Sequence, residues 1–460
     1  MDFSAANDVL WNLLLQFGMV AGIMLLANVL RRKIPLFRKS LLPTAVLAGF
    51  ITLLLRASGL LPVSIELMKM ITYHAIALGF IALSLQIPEK KEGVEKGSFI
   101  AAKSGALIVS AYLLQGLVGL TLSIGLATTV MPNFFKAAGI LLPMGYGQGP
   151  GQANNIGSTY EGLGFVGGQS FGLSLAAAGF LCACVVGVIY LNILKRRGYI
   201  SAETPELVSG SVTIDEFQSK NEIPVSESVD RLSVQFALIL LIYLATYLVS
   251  RGITGALAAY LPGLSETVTS LIWGFNFIIG ALLAIICRNL FRGLTKLKLM
   301  TRQYPNNYLL GRISGTAFDL MVIAGIAAIE MEDLSGLWLP FILMAVAGGA
   351  FTFLYLRWMC KKLFPGYYYE GMLSMFGMQT GTISSGILLL REIDPTFKTP
   401  AATNLLTGSS FAILFGIPML LLVGMAPESD TMLGLVLVVL LAYFALLQVF
   451  MLKARKRQAE

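Results

Sequence analysis

The chain reads as an all-α polytopic membrane protein of about 11 transmembrane helices: two inverted five-helix repeats, each with a re-entrant hairpin, plus one extra C-terminal helix. Three observations predict this. Of 460 residues, 56% are hydrophobic and 13% charged, with a mean hydropathy of +0.77, far from the composition of a soluble domain. Apolar runs long enough to cross about 30 Å of hydrocarbon recur along the whole chain. Two glycine-rich polar segments interrupt those runs at matching places in the two halves.

The runs of the first half fall at 11–30, 41–58, 69–87, 98–130 and 163–194. Asp2 and Asp8 precede the first run and Arg31-Arg32-Lys33 follows it, so it is expected to remain as a membrane helix rather than leave as a signal peptide. Pro43 suits the first turn of the short second run. The second half repeats the series at 232–250, 266–287, 311–330, 335–360 and 401–424, and an eleventh run at 430–452 has no counterpart and reads as an added peripheral helix. The first half therefore covers 1–194, the second 232–424, and 425–460 holds the added helix and a basic tail. Between the halves, 195–231 is the one long polar stretch and reads as a flexible cytoplasmic linker.

The polar segments span about 136–160 and 366–392. The first contains Gly145-Tyr146-Gly147-Gln148-Gly149-Pro150-Gly151-Gln152 followed by Asn154 and Asn155. The second contains Gly377-Met378-Gln379-Thr380-Gly381-Thr382 followed by Ser384 and Ser385. Four glycines and a proline in seven residues break a helix and let backbone approach a ligand. If both segments leave the membrane on the side they entered, 29 of the 33 Lys and Arg residues fall on one face, the cytoplasmic one. The N-terminus is then outside and the C-terminus inside. Gly145 and Gly149 match Gly377 and Gly381 at a spacing of 232, and Gly168-Gln169-Ser170-Phe171 matches Gly408-Ser409-Ser410-Phe411 at 240.

Broken polar segments in corresponding positions point to the binding site of a secondary transporter. Half-helix N-termini can hold an anion, and carbonyl, amide and hydroxyl oxygens a hard cation. The candidate substrate residues are Gly147, Gln148, Gly149, Gly151, Gln152, Asn154, Asn155, Gln379, Thr380, Gly381 and Thr382. The candidate ion ligands are Ser384, Ser385 and Asp319, an acid within an apolar run. The alternatives are a glycine loop outside the membrane, Ser and Thr groups bonded to their own helix, and an Asp319 solvated at the inner interface. Tyr367-Tyr368-Tyr369-Glu370 reads as an interfacial belt, and His74, the single histidine, as a packed, hydrogen-bonded group. The four cysteines lie in apolar segments without metal-ligand spacing. No P-loop, catalytic triad or zinc motif is present, so no enzyme is expected, and the net charge of +8 marks a membrane face rather than nucleic acid.

Over residues 11–424 the pattern resembles the bacterial glutamate:sodium symporter family, whose members carry a glycine-rich re-entrant hairpin between the fourth and fifth helices of each repeat. Family members commonly show a Gly-His-Gly-Thr-Gly-type first hairpin and a Gly-x-Gly-x-Gly-Ala-Thr-type second one. Here those stretches read Gly145–Gln152 and Gly377–Thr382, so the resemblance is to a divergent branch. It implies sodium-coupled symport of glutamate or a related small organic anion across the inner membrane, with sodium as the coupling ion. It also implies a homodimer in the bilayer and elevator-like motion. A cation/proton antiporter of similar build, using Asp319, is the alternative.

Overall fold

The computed structural model describes residues 7–87, 95–199, 230–260, 269, 272–300, 304–394 and 398–453. Among these residues there is no strand, and nine helices are long and apolar enough to cross a membrane, the build of a polytopic membrane protein. The expected linker lies mostly outside the described residues, as does the basic tail at 454–460.

In the first half, α1 (Asp8–Lys33) begins at Asn7, whose Oδ1 accepts from Leu10 N, and ends in Arg31, Arg32 and Lys33, favourable charges for a helix C-terminus. The short α2 (Pro35–Lys39) leads through Pro43 into α3 (Thr44–Ala57). Then follow α4 (Ile65–Leu85), α5 (Glu95–Thr129), α6 (Leu141–Tyr146), α7 (Pro150–Gly162) and α8 (Gly168–Arg196). The second half holds α9 (Arg231–Tyr260), α10 (Asn276–Lys296), α11 (Asn307–Ala327), α12 (Trp338–Leu363), α13 (Tyr368–Thr380), α14 (Ile383–Arg391) and α15 (Ala401–Met425). The chain continues into α16 (Asp430–Lys453). α15 bends by 47° between Ala401–Ser409 and Phe411–Met425. The Gly168 and Gly408 matches therefore fall in different places, one at the start of a helix and the other at a mid-helix bend.

The helices gather into two compact units that cut across the sequence halves. The first is drawn from Met1–Lys69, Glu92–Pro205 and Val322–Glu460, the second from Met70–Lys91 and Glu206–Met321. In lipid, helices associate by close packing and interhelical hydrogen bonds rather than by escape from water. In the first unit α5 packs against α12, α15 and α16, with Gly105 lying against Gly408 and Phe411. The added helix is bound firmly there. Gln448 donates to Tyr355, which shares a hydrogen bond with Ser110, and Lys136 pairs with Asp430. In the second unit Ile81, Ala82 and Leu85 of α4 pack with Ile239 and Ile242 of α9, Ala284 of α10 and Leu310 of α11.

Each unit contains an arginine that caps a helix end. Arg56 of α3 donates from Nε to Ala327 O (3.0 Å) and from Nη2 to Ile329 O (2.6 Å) at the end of α11. Arg288 of α10 donates from Nη1 to Ser84 O (3.1 Å) and Gln86 O (3.0 Å) at the end of α4. Carbonyls left open by a helix terminus are thus satisfied by a cation, which also suits the helix dipole.

Candidate functional site

The first polar segment folds back on itself. After α5 ends, a 3₁₀ turn (Lys136–Ile140) and α6 run back along α5. Ser123 Oγ donates to Lys136 O (2.6 Å), the Gly119 and Gly139 backbones touch, Pro143 lies beside Gly116, and Gly147 beside Tyr112. The segment thus descends to the middle of α5. It turns at Gly149, whose φ of +90° and ψ of −177° suit glycine alone, and Pro150 opens α7. α7 then runs antiparallel to α8, with Ala153 against Gly172 and Gly157 against Gly168 and Gln169. Entry and exit lie at the same ends, the C-terminus of α5 and the N-terminus of α8.

The second segment approaches from the opposite end of α8. Tyr369 stacks near Tyr199, and Phe376 packs on Phe353 of α12. The chain turns at Gly381 and Thr382, and α14 returns with Gly386 against Ser374 and Gly377 and Leu389 against Gly187. Both hairpins are therefore short helical arms with a non-helical turn, and α8 lies along each.

The two turns meet at the middle of α8. A side chain at Gly179 would collide with Thr380 O on one side and lie 3.4 Å from Tyr146 Cα on the other. A Cβ at Gly149 would sit 3.9 Å from Thr382 Cγ2 and 4.0 Å from Gly381 O. Gly149 and Thr382 are the N-caps of α7 and α14, and neither helix has a side-chain cap bond. Two helix N-termini, each carrying a partial positive charge, therefore abut.

Around them are buried acceptors. Gln115 of α5 donates from Nε2 to Thr352 Oγ1 and to Gln379 O (both 2.9 Å). The carbonyl partner fixes the amide orientation, so Oε1 faces Gly147 as a true acceptor. Gln379 donates from Nε2 to Ile108 O (3.3 Å), which fixes its Oε1 in the same way. Gln115 Oε1, Gln152 Oε1, Gln379 Oε1 and Ser385 Oγ have no hydrogen-bond partner among the described residues. Their residues are 1%, 2%, 0% and 3% exposed. Leaving such a group unpaired costs on the order of 1–3 kcal/mol. Neutral oxygens suit a hard cation, and the helix N-termini suit an anion beside it.

The remaining expected residues divide. Gly147, Gly149, Gly381 and Thr382 form the turns, and Gly151 is buried in the first turn of α7. Gln148 is half-buried, its backbone N–H donating to Pro143 O. Thr380 Oγ1 donates to Phe376 O of its own helix, so only the Thr380 carbonyl reaches α8. Asn154 Oδ1 accepts from Gln169 Nε2 (2.8 Å), tying it and the adjacent Asn155 to α8 more than a turn from Gly149. Of the expected ion ligands, Ser385 joins the cluster, whereas Ser384 is exposed. Asp319 belongs to the second compact unit.

Three participants escaped the sequence reading. Gln115 and Gly179 are single residues inside long apolar helices, and Tyr146 donates to Ala345 O beneath the first turn. A lone glutamine in a membrane span was the available signal. Asp333 accepts from Ser170 Oγ (2.7 Å) at the start of α8, and Glu330 pairs with Lys69. His74 Nδ1 and Tyr243 OH share a hydrogen bond, and Tyr367 OH accepts from Asn404.

No protein-family model and no curated protein matches this chain.

Proposed function

We propose that the protein is a secondary active transporter that couples inward movement of Na⁺ to uptake of glutamate or a related small organic anion. The observation that carries this reading is the meeting of the α7 and α14 N-termini beside the unpartnered oxygens of Gln115, Gln152, Gln379 and Ser385. A carboxylate would sit against the helix ends, and Na⁺ among the neutral oxygens. The absence of a carboxylate from that set of four favours Na⁺ over a titrating proton carrier, and so favours symport over cation/proton antiport.

The architecture that supports this reading is an inverted pair of five-helix repeats with re-entrant hairpins, set in an inner membrane with the N-terminus outside and the C-terminus cytoplasmic. The hairpins reach the middle of α8 from its two ends, as an alternating-access site near the bilayer midplane requires. A homodimer follows from the family resemblance. Uptake of labelled glutamate and other small carboxylates into proteoliposomes tests the reading. Accumulation should require an inward Na⁺ gradient and persist when the proton gradient is collapsed. Equal uptake with and without Na⁺ would remove the coupling.

A further inference from the structure

The second compact unit contains a cavity of about 500 Å³ that the transport reading does not use. Its walls come from α4, α9 and the start of α10, with an aromatic lining of Tyr73, His74, Tyr243, Tyr247 and Trp273. Most of the wall area is apolar, supplied by the aromatic rings with Leu240 and Leu244. Leu240, Leu244 and Tyr247 are 56%, 54% and 46% exposed, so the cavity opens as a groove on the apolar outer face of α9. The volume lies in the range of small-molecule sites, and the opening faces the surroundings that an apolar helix face prefers, lipid.

The polar atoms lie at defined places. Ser250 Oγ and Asn276 Oδ1 line the cavity, are buried, and have no hydrogen-bond partner among the described residues. Ser250 is 0% and Asn276 3% exposed. Arg251 follows directly, exposed, with Nη1 3.4 Å from Tyr247 OH at the rim. From Leu240 to Arg251, α9 thus passes through three turns from an aliphatic and aromatic wall to a buried hydroxyl and then an exposed guanidinium. A glycerophospholipid has the same sequence of chemistry: acyl chain, ester carbonyl, phosphate.

We propose that this groove holds one anionic glycerophospholipid. An acyl chain lies along Tyr243, Leu244 and His74, the Ser250 hydroxyl donates to an ester carbonyl, and the Arg251 guanidinium binds the phosphate. Asn276 is hydrogen-bonded to Tyr73 and Tyr243, and the Arg251 charge favours a headgroup that carries no cation of its own. Arginine binds phosphate through its planar fork, and aromatic side chains favour this depth of a membrane.

The test uses the full chain in nanodiscs that mix phosphatidylglycerol and phosphatidylcholine, with one or the other brominated in its acyl chains. Trp273 is kept as the single tryptophan, with Trp11, Trp338 and Trp358 replaced by Phe. Brominated phosphatidylglycerol should quench Trp273 at least about twofold more than the same mole fraction of brominated phosphatidylcholine, and Arg251→Gln should abolish the difference. A variant keeping only Trp338, in the other unit, should show no preference. Equal quenching of Trp273 by the two lipids, or a preference that survives Arg251→Gln, overturns the proposal. Native mass spectrometry of the unmodified protein gives a second readout: one retained phosphatidylglycerol, lost in Arg251→Gln, supports the site, and equal retention by both proteins sinks it.

Discussion

Arg56 and Arg288 stand 232 positions apart and do the same thing in opposite directions across the chain. Arg56 lies on the second spanning helix of the first half and closes the end of α11, the third of the second half. Arg288 lies on the second helix of the second half and closes the end of α4, the third of the first half. The same spacing separates Gly149 from Gly381, the two hairpin turns. Packing follows the pattern: Gly49 of α3 lies against Ile326 of α11, and Gly280 of α10 against Ile81 of α4.

The arginine caps predict matched losses of stability. Arg56→Gln and Arg288→Gln should each lower unfolding free energy by about 1.5–3 kcal/mol, the range for hydrogen bonds to charged groups. The pairs share no partner, so the double variant should equal the sum within about 0.5 kcal/mol. Thermal unfolding in one detergent measures this, and an unchanged midpoint in either single variant would contradict the capping role.

Gln115 links both hairpins, bonding the Gln379 carbonyl while its own oxygen faces Gly147. On the proposed function Na⁺ together with a carboxylate should raise the melting temperature of the wild type by mass action, and Gln115→Leu should abolish that rise. Thr352→Val removes one Gln115 partner but leaves the acceptor in place, so it should retain at least half of that shift. Loss in both, or in neither, would deny Gln115 a place among the ion's ligands.

Gly179 has no room for a side chain, because the Thr380 carbonyl occupies the space. Gly179→Ala should push the second turn away from the first and cut transport by at least about tenfold, as misplacement of a binding group by an ångström does in other sites. Gly162→Ala, where a Cβ meets nothing within 4 Å, should transport normally. The comparison is made at equal amounts of folded protein by gel filtration.

Asp394 offers a pH test outside the spanning helices. Burial alone pushes its carboxyl up, but the Thr399 hydroxyl and the Thr399 and Lys398 amides outweigh it and hold the group below the ordinary aspartate value. A depressed folded pKa gives stability that is present above the unfolded value of about 3.9 and is lost as pH falls through the folded value. Wild type should therefore exceed Asp394→Asn in melting temperature at pH 6, and the gap should narrow below about pH 4. A gap that widens on acidification would reverse the assignment.

Much of this arrangement was legible beforehand because helices and their breaks are local. Glycine and proline at Gly145–Gly151 and Gly377–Gly381 declare a turn whatever surrounds them. The division of labour within each hairpin was not legible. Adjacent Ser384 and Ser385 differ only in helical phase, and one is exposed while the other is buried. Thr380 could face a guest or its own helix, and the nearby Phe376 carbonyl decides for the helix. Gln115 and Gly179 matter through contacts with Gln379 and Thr380, more than 200 residues away in the chain, which composition does not encode. The compact units escaped for the same reason, since α5 finds its neighbours in the other half.

The abutting ends of α7 and α14 have an electrostatic consequence. Each helix end carries roughly half a positive charge, so the two ends repel one another where the Gly149 and Thr382 turns come into contact. On the proposed reading a carboxylate at these ends would offset that repulsion, so the same backbone that turns each hairpin would also tie the two hairpins together through their guest.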